Sequence, residues 1–332
     1  MFKNEVSEFI YKRTYSRWIE EESRREDWPE TIERFLNFII SERPDIPVKT
    51  QEKIRKYMTE FAVMPSMRFL WAAGPAAKAD NTCIYNCSFA KINSVEAFAE
   101  CLYILMCGTG FGFSVENEEI EKLPVIPEIK SGQALAKILI DDSKKGWADS
   151  VKTLMDSLYD GQNVYFDYSA IRLEGARLMT MGGRASGPQP LIKLHDFIRE
   201  TMHNAQGRQL TTLECHDICN QIAEIVVVGG VRRSSQISLS DLQDKDMRHA
   251  KDWPYPIKRA MANNSAVYRE KPSAADFLKE WGSLALSGTG ERGIFNLEAA
   301  QSKAPSRRYA PLIQGTNPCG EIMLRDMQFC NL

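Results

Sequence analysis

One short segment concentrates the residue types that do chemistry. Asn317-Pro318-Cys319-Gly320-Glu321 sets an amide two residues before a thiol and a carboxylate two residues after it. In an extended loop residues two apart point the same way, so one substrate can meet all three side chains. The thiol suits radical or nucleophilic chemistry, the carboxylate general acid–base work, and the amide the orientation of a hydroxyl. Pro318 stiffens the loop and Gly320 opens it. Taken alone, the motif also reads as a surface turn with an incidental cysteine.

The chain carries eight cysteines. Cys330 follows Cys319 closely, and Cys87 sits in Tyr85-Asn-Cys-Ser-Phe89. Two distant cysteines brought together can cycle between dithiol and disulfide as a two-electron store. The sequence does not pair them, and buried apolar thiols are the ordinary alternative. Cys83-x3-Cys87 and Cys215-x3-Cys219, with His216, superficially resemble a zinc set. Structural zinc pairs more often use a two-residue gap, and Cys215–Cys219 lies in an apolar helical stretch, so no metal site is expected. The four histidines, 195, 203, 216 and 249, lack metal-ligand spacing and read as structural or exposed.

Two glycine-bearing runs, Gly108-Thr-Gly-Phe-Gly112 and Met181-Gly-Gly-Arg-Ala-Ser-Gly-Pro188, are candidate loops for backbone approach to phosphate. Neither carries the P-loop lysine or the dinucleotide fingerprint. Arg184, Arg232 and Arg233 are the accompanying phosphate or effector candidates, against the commoner reading of solvated arginines.

The elements that must position these residues show in the patterning. Residues 4–26 and 29–42 read as amphipathic helices, the second with Ile32, Phe35, Leu36 and Ile39 at helical spacing behind Trp28-Pro29. A third helix is expected over Gln51–Phe61, stopping before Pro65. Residues 1–75 thus form a helical region ending at the turn-like Ala73-Gly74-Pro75. From residue 76 to 332 the pattern changes to an alternation of helices and short strands. Asn93–Met106 is a helix running into the glycine loop at 107–112 and a strand at Phe113–Val115. Trp147, Val151, Leu154 and Leu158 mark a helix before the strand-like Val164–Tyr168, and Thr212–Ile225 is a helix before a strand at Ser235–Leu239. This alternation is α/β architecture.

With 332 residues, 43% of them hydrophobic, the chain can bury a real core. Its formal net charge of −2 gives no single-sign field for a nucleic-acid backbone or an anionic membrane. No window approaches the ~18 apolar residues of a spanning helix. The N-terminal segment lacks the apolar run of a signal peptide, so a cytoplasmic location is expected.

Taken together, the segments resemble the class II, adenosylcobalamin-dependent ribonucleotide reductases, most closely those acting on ribonucleoside triphosphates. The resemblance runs from Tyr11–Trp18 through Pro65–Arg68, Asn86–Phe89, Gly110–Val115 and Gly182–Pro188. It continues through Asp217–Asn220, Gly230–Ser234, Asn263–Ser265 and Gly293–Leu297 to Asn317–Glu321 and Cys330–Leu332. The class that uses a diiron partner subunit usually has leucine where Pro318 stands. A diiron or glycyl-radical reductase fragment and a non-catalytic nucleotide-binding remnant remain the alternatives.

The resemblance implies a ten-stranded α/β barrel with the radical cysteine on a finger loop through its centre. This chain would supply the helical region, roughly the first half of the barrel and the finger loop at 315–324. It implies adenosylcobalamin as radical source, Cys319 as the thiyl residue, Glu321 as proton acceptor from the 3′-hydroxyl and Asn317 as the group orienting the sugar. Cys87 and Cys330 would be the reducing pair, reopened by a thioredoxin-like protein. Substrate contacts would come from Pro65, Ser66, Ser88, Gly108, Thr109, Gly110, Pro318 and Gly320. dNTP or ATP effectors are further expected ligands, although the stretch between Val115 and Ala170 is shorter than in monomeric enzymes with an effector-binding insertion. The rest of the barrel is expected on a separate or joined polypeptide, with a truncated sequence as the plain alternative, and the chain alone is expected to be inactive.

Overall fold

Asn4 opens the first helix, α1 (Glu5–Thr14), by accepting the Ser7 amide on its side chain at 2.8 Å. The computed structural model describes residues 2–130, 137–178, 184–227 and 235–331. Its described chain forms two compact units, Met1–Asn86 with Asn331–Leu332, and Cys87–Cys330.

In the first unit the helix expected over 4–26 ends at Thr14, and the chain reverses through a small ribbon pairing Trp18–Ile19 with Arg24–Arg25. Contacts distant in sequence cause the break. The Glu26 carbonyl accepts Ser16 Oγ at 2.7 Å and Lys12 Nζ at 2.9 Å, and the Glu26 amide donates to Arg17 O at 2.7 Å. The Glu26 carboxylate is buried between Arg34 and Thr31. Helical periodicity cannot see such a network. Asp27 and Glu30 then form a capping box for α2 (Trp28–Glu42), with Pro29 in its first turn. The third helix, α3, covers Val48–Thr59, a few residues ahead of its expected start. Tyr11, Trp28, Ile32, Phe35, Leu36, Met58 and Leu70 make this unit's core.

The second unit is built on one six-stranded sheet. Its strands are β1 (Cys87–Lys91), β2 (Gly110–Ser114), β3 (Gln236–Asp241), β4 (Ala262–Tyr268), β5 (Gly293–Asn296) and β6 (Gln328–Cys330). Their order is β6-β1-β2-β3-β4-β5; β1 to β5 run parallel, and β6 lies antiparallel on β1. Parallel strands need crossovers, and helices supply them: α4 (Val95–Met106) between β1 and β2, and α5 (Lys144–Tyr159), α6 (Gln189–Asn204) and α7 (Thr212–Val227) between β2 and β3. The expected α/β alternation is therefore present.

Side-chain alternation divides the sheet. Phe111 and Phe113 of β2 join Phe98, Leu102, Val151, Leu154 and Ile218 in the large core beneath the helices. On the opposite face Cys87, Phe89, Ile237, Leu239, Val267 and Phe295 join Ile313, Leu324 and Cys330 in a second core. A sheet covered on both faces buries both, and here β3 and β4 also bury polar side chains, among them Gln236, Ser238, Ser240 and Asn264.

Candidate active site beneath a cysteine loop

The antiparallel pairing of β6 on β1 sets Cys330 opposite Cys87. Both are buried, and all eight cysteines are thiols. Cβ atoms of directly opposed residues lie about 4.5–5.5 Å apart, close to the span of a disulfide. Burial first, and the neighbouring Cys87 second, push the Cys330 thiol up to about 12. Cys330 is therefore held as S–H at neutral pH, and two opposed thiols are a store of two electrons and two protons.

Above this pair lies the cysteine loop. Gly315–Thr316 pairs with Met323–Leu324 as a short antiparallel ribbon. Asn317 closes the turn between them. Its amide donates to Ile322 O at 3.2 Å, its Oδ1 accepts the Ile322 amide at 2.9 Å, and its carbonyl accepts the Gly320 amide at 2.9 Å. Gly320 sits at φ +84°, where a side chain would be strained. Asn317 and Pro318 are buried, whereas Cys319, Gly320 and Glu321 are exposed at the tip. With its oxygen engaged by Ile322, Asn317 turns Nδ2 toward Cys87 Sγ, 3.8 Å away.

The glycines of β2 explain how this loop is seated. The run at 108–112, a candidate for backbone approach to phosphate, is a helix end followed by a strand that begins at Gly110, three residues ahead of its expected start. Gly108, at φ +74°, ends α4 by donating to Leu105 O at 2.8 Å, and Thr109 is buried behind it. Gly110 and Gly112 lie inside β2 on the face toward the cysteine loop. A Cβ on Gly112 would fall well inside contact distance of Thr316 O, and one on Gly110 would stand 3.0 Å from Pro318 Cγ and 3.4 Å from Cys87 Sγ. The missing side chains make a trough that admits the loop backbone. Gly315 repeats the device against the Phe89 ring.

The structure thus brings together Asn317, Pro318, Cys319, Gly320, Glu321, Cys87, Cys330 and Gly110. Ser88 is buried beside them, its hydroxyl donating to Gly110 O at 3.0 Å. Pro65 and Ser66 belong to the first unit, where Ser66 Oγ caps the short helix Met67–Ala72. Arg184 is exposed and donates to Gly175 O at 2.9 Å. Arg232 and Arg233 lie outside the described residues, as do Gly182 and Gly183. Cys215 and Cys219 are buried on α7, and burial raises both thiols. Among the described residues no three His, Cys, Asp or Glu side chains converge as a metal site. Burial holds His195 and His216 down to about 3; His195 meets Ser150 and Tyr168 as a neutral ring.

Sequence reasoning passed over one contact. Asn263 of β4 donates through Nδ2 to Pro318 O at 3.3 Å. Its signal was faint: an amide within the matched segment Asn263–Ser265, one position out of phase with the buried Asn264.

Comparison with known proteins places these features in context. A family model described as the ribonucleotide reductase alpha domain matches residues 1–75. A second, described as the insertion domain of B12-dependent ribonucleotide reductase, matches residues 128–202. The insertion-domain match includes most of the stretch expected to be short. The adenosylcobalamin-dependent ribonucleoside-triphosphate reductase of Levilactobacillus brevis is 30% identical over 413 residues, covering 99% of this chain and 54% of that protein. The enzyme of the same name from Lactobacillus leichmannii is 28% identical, with 97% and 53% covered. A crystal structure of a B12-dependent (class II) ribonucleotide reductase superposes with a TM-score of 0.80 at 25% identity, over 96% of this chain and 53% of that one. The chain spans about half the length of the curated relatives it matches.

Proposed function

We propose that this chain is the N-terminal portion of an adenosylcobalamin-dependent ribonucleotide reductase that converts ribonucleoside triphosphates to 2′-deoxyribonucleotides. The observation that carries this reading is the stacking of three thiols: an exposed Cys319 at a loop tip, and beneath that loop the opposed pair Cys87 and Cys330. Similarity to reductases along nearly the whole chain supports it. Division of the chain near residue 75 into a helical region and a first barrel half belongs to the same proposal.

The donor set fits the cofactor, because the loop exposes one thiol while burying the residues that hold it. Adenosylcobalamin, when bound, supplies the species that takes a hydrogen atom from a thiol. Cys319 is the thiol that gives it up, and the resulting thiyl radical takes the ribose 3′-hydrogen. Glu321 accepts the 3′-hydroxyl proton. The Asn317 amide, which orients the sugar, faces Cys87, the thiol that protonates the departing 2′-hydroxyl. The C2′–O bond breaks and water leaves. Cys87 and Cys330 supply two electrons and close to a disulfide, C2′ gains a hydrogen, Glu321 returns its proton to the 3′ oxygen, and Cys319 gives the abstracted hydrogen back to C3′, becoming a thiyl radical again. A thioredoxin-like reductant reopens the pair in the cytoplasm, where such thiols are kept reduced. Pro65, Ser66, Ser88, Gly108, Thr109, Gly110, Pro318 and Gly320 remain the proposed substrate contacts, Arg184, Arg232 and Arg233 the proposed phosphate or effector contacts, and the rest of the barrel comes from a C-terminal portion.

The test is conversion of CTP to dCTP with adenosylcobalamin, using the chain with and without a co-expressed C-terminal portion of a relative. Activity is expected only in the paired sample, with Cys319→Ala reducing it by more than about 10³-fold. Folded pairings with no cobalamin-dependent product, or Cys319→Ala retaining activity, overturn the reading.

A further inference from the structure

We propose that Asn263 is a positioning residue for the cysteine loop, fixing the peptide plane from which Cys319 projects. Its catalytic consequence rests on the radical chemistry proposed above; its effect on the loop rests on the geometry alone.

Strand β4 presents its two consecutive asparagines to opposite faces. Asn264 pairs in register with Ser238 and is buried, and its backbone N–H donates to Glu291 Oε2 at 2.8 Å. Asn263 pairs in register with Ile237, a residue of the core beneath the cysteine loop, and its side-chain amide reaches Pro318 O. That carbonyl belongs to the peptide bond leading into Cys319. The bond is planar, so holding its oxygen holds the nitrogen from which Cys319 begins. The loop is already seated on Gly112 at Thr316 and closed on itself between Asn317 and Ile322. The turn bond from the Gly320 amide to Asn317 O brackets the Pro318–Cys319 peptide, and the Asn263 bond adds a direct hold on the oxygen of that plane.

A single neutral hydrogen bond from an exposed amide contributes little to global stability. Catalysis is more sensitive, since a misplacement of about 1 Å at a reacting atom costs on the order of 10²-fold in rate. Loss of Asn263 is therefore expected to separate rate from stability, which a merely structural residue does not do.

Asn263→Asp keeps the shape and removes the donor; Asn263→Ala removes the side chain without adding charge. In the intact chain, amide hydrogen exchange at Gly320 and Ile322 is expected to quicken at least about fivefold in both variants, with Phe111 and Phe113 unchanged. In the paired enzyme, kcat is expected to fall roughly 10–100-fold, with the KM for CTP within about twofold of the parent. Unchanged loop exchange, exchange that rises evenly across the sheet, or unchanged kcat in both variants overturns the proposal. If the unsubstituted pairing makes no dCTP, the reductase reading fails, and the exchange data still decide the role of Asn263.

Discussion

Two pairs of buried thiols occupy opposite sides of the same sheet. Cys87 and Cys330 face each other across β1 and β6 on the side of the cysteine loop. Cys101 of α4 and Cys219 of α7 meet within the helix-side core, where Gln236 donates to Cys101 Sγ at 3.4 Å and to Cys219 O at 3.2 Å. Burial raises Cys330 and Cys219 alike. Proximity and a raised thiol therefore do not distinguish a redox pair from packing. The difference is the neighbourhood: one pair lies under a loop with an exposed thiol at its tip, the other under helices.

The sharpest way to break this comparison is to remove one thiol from each pair. Cys330→Ser in the paired enzyme is expected to abolish turnover supported by a thioredoxin-like reductant, because no disulfide can close. Cys219→Ser is expected to keep turnover within about twofold while costing roughly 1–3 kcal/mol of stability, since a hydroxyl replaces a thiol in an apolar site. Steady-state dCTP formation and urea unfolding read the two effects; equal turnover by both variants would erase the distinction.

A smaller effect is expected at the trough. Gly112→Ala places a methyl group against the Thr316 carbonyl, so the loop must shift or the strand must bend. Overpacking of this kind costs about 1–3 kcal/mol. Chemical denaturation should show that loss, together with a fall in activity; a neutral substitution would mean that the loop seats elsewhere.

The smallest expected effect is alkaline. Folded-state thiol values raised above the ordinary 9.0 mean that burial of the protonated form stabilises the fold fully below pH 9. That contribution is lost as pH rises, through about 12 for Cys330 and well above the ordinary thiol range for Cys219. Melting temperatures between pH 9 and 11 should therefore fall, and less steeply in Cys219→Ser. An unchanged slope would show that Cys219 ionises as freely folded as unfolded.

The cysteine loop was legible because its chemistry lies within five consecutive residues. The second helix was equally plain, with Asp27, Pro29 and Glu30 writing its start. The partnership of Cys87 and Cys330 came only through resemblance, because strand pairing between residues so far apart leaves no local trace. The seating role of Gly110 and Gly112 was hidden for a related reason: a glycine that makes room for a distant backbone looks the same in sequence as one that approaches a phosphate. The overlong first helix failed at Glu26, whose partners on the returning chain outweigh local propensity. Asn263 was missed because an exposed amide on a strand is unremarkable until the loop arrives above it.

The second compact unit begins at Cys87 and ends at Cys330. Closing a bond between those sulfurs would turn the unit into a covalent ring and remove much of the freedom of its unfolded chain. For a loop of 100 residues or more, the chain-entropy argument gives on the order of 4–5 kcal/mol. Each oxidation would then tighten the unit topologically, and each reduction would cut the ring open, so the reductant that resets the chemistry would also restore the unit's freedom to open.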